Sequence, residues 1–167
     1  MKNTKKILLS ALFVILPFCA SNAQKASYSY KPFSDKGCEV RLYVSKQDSA
    51  YYLVAVVRSD ILRFLKQPTM QIKTFKDNNI KLYGENIGES STDYGIMVGN
   101  IFLPVNKINS TAQFYIKAEQ LELLKEGIKK IRFSTIPCDH EKSFGKDKIG
   151  KRLYKQYINQ RDANHEF

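Results

Sequence analysis

Asp139-His140-Glu141, directly after Cys138, is the strongest catalytic-looking cluster in the chain. A histidine flanked by carboxylates has the composition of a general base or a metal ligand, since imidazole changes charge near neutral pH. The cluster lacks partners at recognisable spacing. The other histidine, His165, is two residues from the end of the sequence, and neither an HExxH nor a paired Cys/His spacing is present. No serine or threonine lies in a G-x-S-x-G elbow. Gly84 to Gly88 and Gly95 to Gly99 each hold two glycines, yet neither fits a dinucleotide or phosphate-loop pattern. Glu119 and Glu122 fall on the solvated side of a short helix. These residues assign no catalytic side chain, no metal and no cofactor. The ordinary reading of 139–141 is a polar loop before the last helix, and the alternative is a small hydrolase or transferase using His140 with a neighbouring carboxylate.

Cys38 and Cys138 form the second constellation. An even pair in an oxidising compartment reads as a disulfide. Closing a loop of that length would stabilise the fold by about 4–5 kcal/mol on the loop-entropy model. Two separate buried thiols are the alternative, and no CxxC supports a redox role.

The third is basic. Lys142, Lys146, Lys148, Lys151, Arg152 and Lys155 crowd the C-terminal segment. On a helix, Lys148, Lys151, Arg152 and Lys155 share one face, a candidate contact for an anionic surface or polyanion. Lys130 and Arg132 would enlarge that patch. A solvated outer face is the plain alternative. Tryptophan is absent, which weakens a sugar-stacking platform, although ten tyrosines leave one open.

The elements that must position these residues are mostly strands. Cys38, Val40, Leu42 and Val44 alternate with Glu39, Arg41, Tyr43 and Ser45. Ala50 to Arg58 is β-branched and aromatic, and Lys46 to Ser49 suits a hairpin turn. Met70, Ile72 and Thr74 alternate, Lys76 to Asn79 is a turn, and Ile80 to Tyr83 resumes the strand. Polar, glycine- and serine-rich Glu85 to Tyr94 reads as a flexible loop. Gly95 to Val105 reads as one bent strand or two short ones, and Ala112 to Lys117 as another. Helical spacing appears over Ala118 to Glu126, with Gly127 as its stop, and over Lys146 to Gln160, where Ile149, Leu153 and Tyr157 form a stripe. Gly150 costs that helix about 1 kcal/mol relative to alanine. The connection through 118–126 is short for a parallel crossover, so its handedness stays open. The expected fold is α+β, mostly antiparallel β, with seven or eight sandwich-like strands, one short helix and one C-terminal amphipathic helix.

The N-terminus sets the compartment. Lys2, Lys5 and Lys6 precede an apolar run from Ile7 to Phe18, and Ser21-Asn22-Ala23 places small residues before Gln24. That is a secretory signal peptide over 1–23, too short to span a bilayer, leaving a single secreted domain over 24–167. Lipidation at Cys19 is disfavoured by bulky Phe18. The net charge of +11 falls to +8 when those three lysines leave. An exported basic chain meets envelope anions rather than nucleic acid. Asp48-Ser49-Ala50 looks like a bacterial O-glycosylation acceptor, and Asn109-Ser110-Thr111 matches the N-glycan sequon.

Phe114 to Ile158, especially EQLELLKEGIKKIRFST and HEKSFGKDKIGKRLYKQY, resembles small secreted proteins of Gram-negative bacteria with no assigned activity. The resemblance reaches back to Phe64-Leu-Lys-Gln-Pro68. Its motifs are structural, so it implies a fold rather than a reaction. The expectation is a periplasmic or envelope binding module, non-catalytic, holding a partner protein or an anionic surface ligand, with no transmembrane segment in the mature chain.

Overall fold

A computed structural model describes residues 26–30 and 38–163. The expected signal peptide over 1–23, with Cys19, and also His165 lie outside the described residues. Ten strands run in chain order: β1 (Ala26–Tyr30), β2 (Cys38–Gln47), β3 (Ala50–Ser59), β4 (Arg63–Phe64), β5 (Thr69–Thr74), β6 (Asn79–Val98), β7 (Ile101–Ile116), β8 (Ile128–Phe133), β9 (Thr135–Ile136) and β10 (His140–Ser143). Helix α1 (Ala118–Glu122) tightens into a 3-10 turn over Leu123–Glu126, and α2 (Gly150–Asp162) closes the described chain. The fold is mostly antiparallel β with two helices. No helix among the described residues is long and apolar enough to cross a membrane.

Eight strands form one curled sheet in the order β1-β2-β3-β7-β6-β5-β8-β10, while β4 and β9 make a separate ribbon. The order is continuous because β6 belongs to both halves. Its first part, Asn79 to Tyr83, pairs with β5, and Gly84 to Val98 pairs with β7. The handover falls at Gly84, where a Cβ would stand 2.3 Å from the Gln113 carbonyl oxygen and 2.6 Å from the Phe114 ring. Only a residue without a side chain fits that crease. Among the described residues no parallel crossover occurs, since β8 runs antiparallel to both β5 and β10.

Alternation decides which residues meet inside the curl. Val40, Leu42, Leu53, Val57, Met70, Ile72, Ile80, Leu82, Phe114, Ile131 and Phe133 belong to a single buried cluster. Phe64 packs edge-on against both Phe114 and Phe133, tying the two halves together. Leu121 and Leu124 from the α1 region join the same core, as do Leu153 and Tyr157 of α2.

Glu85 to Tyr94 is not the expected loop but part of β6, paired with β7 through a register shift between Asn86 and Gly88. Beyond Tyr83 this part of β6 has β7 on one side only, and from Glu85 to Thr92 its residues are mostly exposed, so it needs no apolar alternation and its polarity carries no strand signal. Gly99 and Asn100 are the hairpin turn joining β6 to β7, with Gly99 at φ +60°. Positive φ at the first central residue of a two-residue loop is the glycine position of a type II′ turn.

Helix α2 starts at Gly150 rather than Lys146 because Asp147 caps it. The Asp147 carboxylate accepts backbone N–H groups from Gly150 at 2.8 Å and Lys151 at 2.9 Å, and also from Ile128 of β8 at 2.9 Å. Burial alone would raise its pKa, but these backbone donors outweigh burial and hold the carboxyl below its usual value. Gly150 sits so close to the chain at 127–128 that a Cβ would lie 2.7 Å from the Ile128 nitrogen. At its other end α2 is tied to β2. Gln156 accepts from the Val44 N–H at 3.0 Å while Gln160 donates to the Val44 carbonyl at 2.7 Å.

Helix propensity and packing therefore make opposite demands on Gly150. Gly150→Ala is expected to destabilise the protein by about 1–3 kcal/mol through overpacking, against a gain of about 1 kcal/mol from propensity alone. Urea unfolding decides between them by the sign of the change. Since folding depresses the Asp147 pKa, its contribution is present above the ordinary carboxyl range and lost as pH falls through the lowered value. Asp147→Asn is expected to flatten that acid limb when midpoints are compared from pH 7 down to pH 2.

Candidate functional site

His140 begins β10, the last strand of the sheet order, and is buried, with 5% of its surface exposed. Its Nε2 shares a 2.9 Å hydrogen bond with the Tyr28 hydroxyl from β1, the first strand of that order. The imidazole lies 4.1 Å, centroid to centroid, from the Tyr30 ring and stacks on Phe133. Phe144 meets Tyr28 edge-on. The flanking carboxylates turn away: Asp139 pairs with Arg132 at 2.7 Å and Glu141 with Lys130 at 2.7 Å. The expected polar loop is thus a strand, and its histidine is a buried seam between the two sheet edges. Burial first, and the Lys142 charge second, push the His140 pKa down to about 4. Burial also holds the Tyr28 hydroxyl well above its ordinary range, so both groups are neutral at pH 7.

The cysteines do not join. The disulfide expected between Cys38 and Cys138 is not formed, and both are free thiols. Cys38 is buried, its thiol 3.2 Å from the Ser59 hydroxyl, which in turn accepts the Leu62 N–H at 3.0 Å. Cys138 is exposed in the turn between β9 and β10. One thiol faces the polar end of β3 and the other faces solvent, so they are not presented to each other.

Of the four basic candidates expected on one helical face, three lie on α2 and Lys148 does not. Lys148 precedes α2, and Lys151, Arg152 and Lys155 line its exposed side, opposite buried Leu153 and Tyr157. Lys130 and Arg132 are elsewhere, on the outer face of β8, and are held by Glu141 and Asp139. Asn109 of the sequon lies mid-strand in β7, opposite Arg58.

The outer sheet face brings together residues that the sequence did not single out. Tyr52 of β3 stands opposite Tyr115 of β7, their rings edge to face at 6.0 Å. Tyr83 of β6, next to the Gly84 crease, lines the same groove, which holds about 630 Å³ and is completed by Pro68, Glu85 and Gln113. Tyr83 and Tyr115 are 67% and 52% exposed. Gln113 donates to Glu85 across the groove floor. Beyond Tyr83 the face becomes basic: Lys81 lies over the Tyr83 ring at 5.3 Å, and a second groove of about 440 Å³ is lined by Lys73, Lys81, Lys130 and Arg132 among polar neighbours. Each tyrosine occupies the outward position of an alternating strand, which was the available signal. Only the sheet order makes them neighbours.

Comparisons of the chain with protein-family models, with curated proteins and with solved structures return no significant match.

The seam makes a pH-dependent prediction. A folded-state pKa near 4 against an ordinary 6.5 means that the unfolded chain takes the proton first. The seam's contribution is therefore complete above pH 6.5 and lost as pH falls toward 4. The loss is expected to be of order 1–3 kcal/mol. Wild type should show this slope in denaturant midpoints, His140→Phe should not, and the His140 ring should titrate near pH 4 by NMR.

Proposed function

We propose that the chain is an exported, non-catalytic binding module of the periplasm or cell envelope. Its outer sheet face would take a saccharide chain carrying acidic groups. The observation that carries this reading is the row of tyrosines from adjacent strands, left open to solvent and running into a basic groove. An aromatic ring with a polar tip suits a wet interface, since the face offers apolar area and the hydroxyl keeps its hydrogen bond. The C–H face of a pyranose stacks on such rings while its hydroxyls meet side chains such as Gln113 and Glu85. Lys81 then offers a cation at the end of the row. The exposed ion pairs of Lys73 with Asp77 and Lys130 with Glu141 are weak, about 0–1 kcal/mol each, so an incoming carboxylate can displace them at little cost.

Export rests on the N-terminal pattern, with cleavage after Ala23. The non-catalytic reading is supported by His140, whose nearest polar partner is a tyrosine and whose neighbouring carboxylates are engaged by Arg132 and Lys130. The anion is assigned to the sheet face in preference to Lys148, Lys151, Arg152 and Lys155, because the sheet face joins cations to aromatic rings within grooves.

The test is calorimetric titration of the exported protein with a uronic-acid oligosaccharide and with a neutral oligosaccharide of equal length. Tyr83→Ala and Tyr115→Ala are each expected to weaken binding of the acidic chain about tenfold, or about 1.4 kcal/mol, with thermal midpoints unchanged. Lys81→Glu should abolish the preference for the acidic chain. Binding that is absent, or that survives both tyrosine variants, would remove the reading. Mass spectrometry of the envelope fraction should find a chain beginning at Gln24.

A further inference from the structure

The β6–β7 hairpin runs past the body of the sheet. The last β7 residue paired with β3 is Ile108, and β5 leaves β6 at Tyr83. Seven further β6–β7 pairs, from Thr92↔Lys107 to Val98↔Ile101, continue as a two-stranded arm. At about 3.4 Å per residue the arm reaches roughly 24 Å beyond that point. Its tip is apolar on both sides. Met97 and Val98 are consecutive in a strand and so face opposite ways, and Ile101 pairs directly with Val98. The three are 63%, 56% and 64% exposed. The sequence carries no charge from Tyr94 to Asn106.

A solvent-exposed ribbon has no structural use for large apolar side chains on both faces. A groove on another protein, or a second copy stacked on the arm, covers one face of a ribbon. A lipid leaflet surrounds both. We infer that the arm is a lipid-docking probe, its tip seated in the interfacial layer of an anionic bilayer. Depth is limited by the backbone, because the unpaired edge N–H and C=O groups of such a ribbon require water. Anionic lipid is favoured by charge complementarity, the chain carrying a net +11, or +8 without its expected leader. The saccharide-binding face lies on the body of the sheet, so this inference is independent of it.

The chain contains no tryptophan, so Val98→Trp gives a clean fluorescent reporter. With the exported protein and vesicles of phosphatidylcholine and phosphatidylglycerol, its emission is expected to shift to the blue and to be quenched by lipids brominated near the headgroup end of the chain. A double variant, Met97→Asp with Ile101→Asp, should cut vesicle co-sedimentation at least tenfold while leaving the thermal midpoint and oligosaccharide titration unchanged. Unquenched emission, or sedimentation equal to wild type in the double variant, would overturn the inference. So would a wild-type dimer that the double variant converts to monomer, since the tip would then be a self-association surface. Loss of oligosaccharide binding with vesicle binding intact would strike the proposed function and leave the arm standing.

Discussion

The curl of the sheet depends on its two edges meeting. Strands β1 and β10 end the hydrogen-bonded order, and an antiparallel sheet with two such edges would ordinarily splay apart. Here Tyr28 and Tyr30 from one edge close on His140 from the other, with Phe133 and Phe144 packed around them. The seam is aromatic rather than a backbone ladder, and the hydrogen bond that crosses it from Tyr28 to His140 joins a hydroxyl and an imidazole that are both neutral. A charged histidine there would leave a buried cation unsatisfied, which is why burial depresses its pKa. The residue that most resembles a catalyst is thereby committed to closure.

Closure at the edges requires a crease in the middle and a plug inside. Gly84 supplies the crease, allowing β6 to change partners from β5 to β7 without breaking the strand. The helices supply the plug. Asp147 holds the start of α2 and the start of β8 on one carboxylate, while Gln156 and Gln160 hold the backbone N–H and carbonyl of Val44 in β2. Both ends of α2 are thus tied to strands, and the helix position is set by hydrogen bonds as much as by its apolar stripe.

A closed, filled curl turns its remaining polar and aromatic residues outward. The tyrosine groove and the basic groove beside it are consequences of strand order, since Tyr52, Tyr83 and Tyr115 come from three separate strands. The arm is a consequence of length: β6 and β7 are longer than the strands flanking them, so their far ends have no sheet to join. Body and arm present different chemistries, one aromatic and basic, the other apolar.

The alternating patterns of 38–45, 50–58 and 70–74, and the stripe of Ile149, Leu153 and Tyr157, are local properties, and the sequence by itself determined them. The charge excess and the short helix before Gly127 were legible in the same way, because composition is read directly and periodicity and turn chemistry act over a few residues. Long-range pairing was decided only in three dimensions. Polar 85–94 became strand because β7 is present to pair with it. Cys38 and Cys138 stayed apart because burial beside Ser59 at the start of β2 and exposure in a turn orient them differently. His140 became a seam, and Gly150 a necessity, because each is defined by the residue that lies against it, far along the chain. The tyrosine face follows the same rule: each ring's outward position was written in its own strand, and their meeting was not.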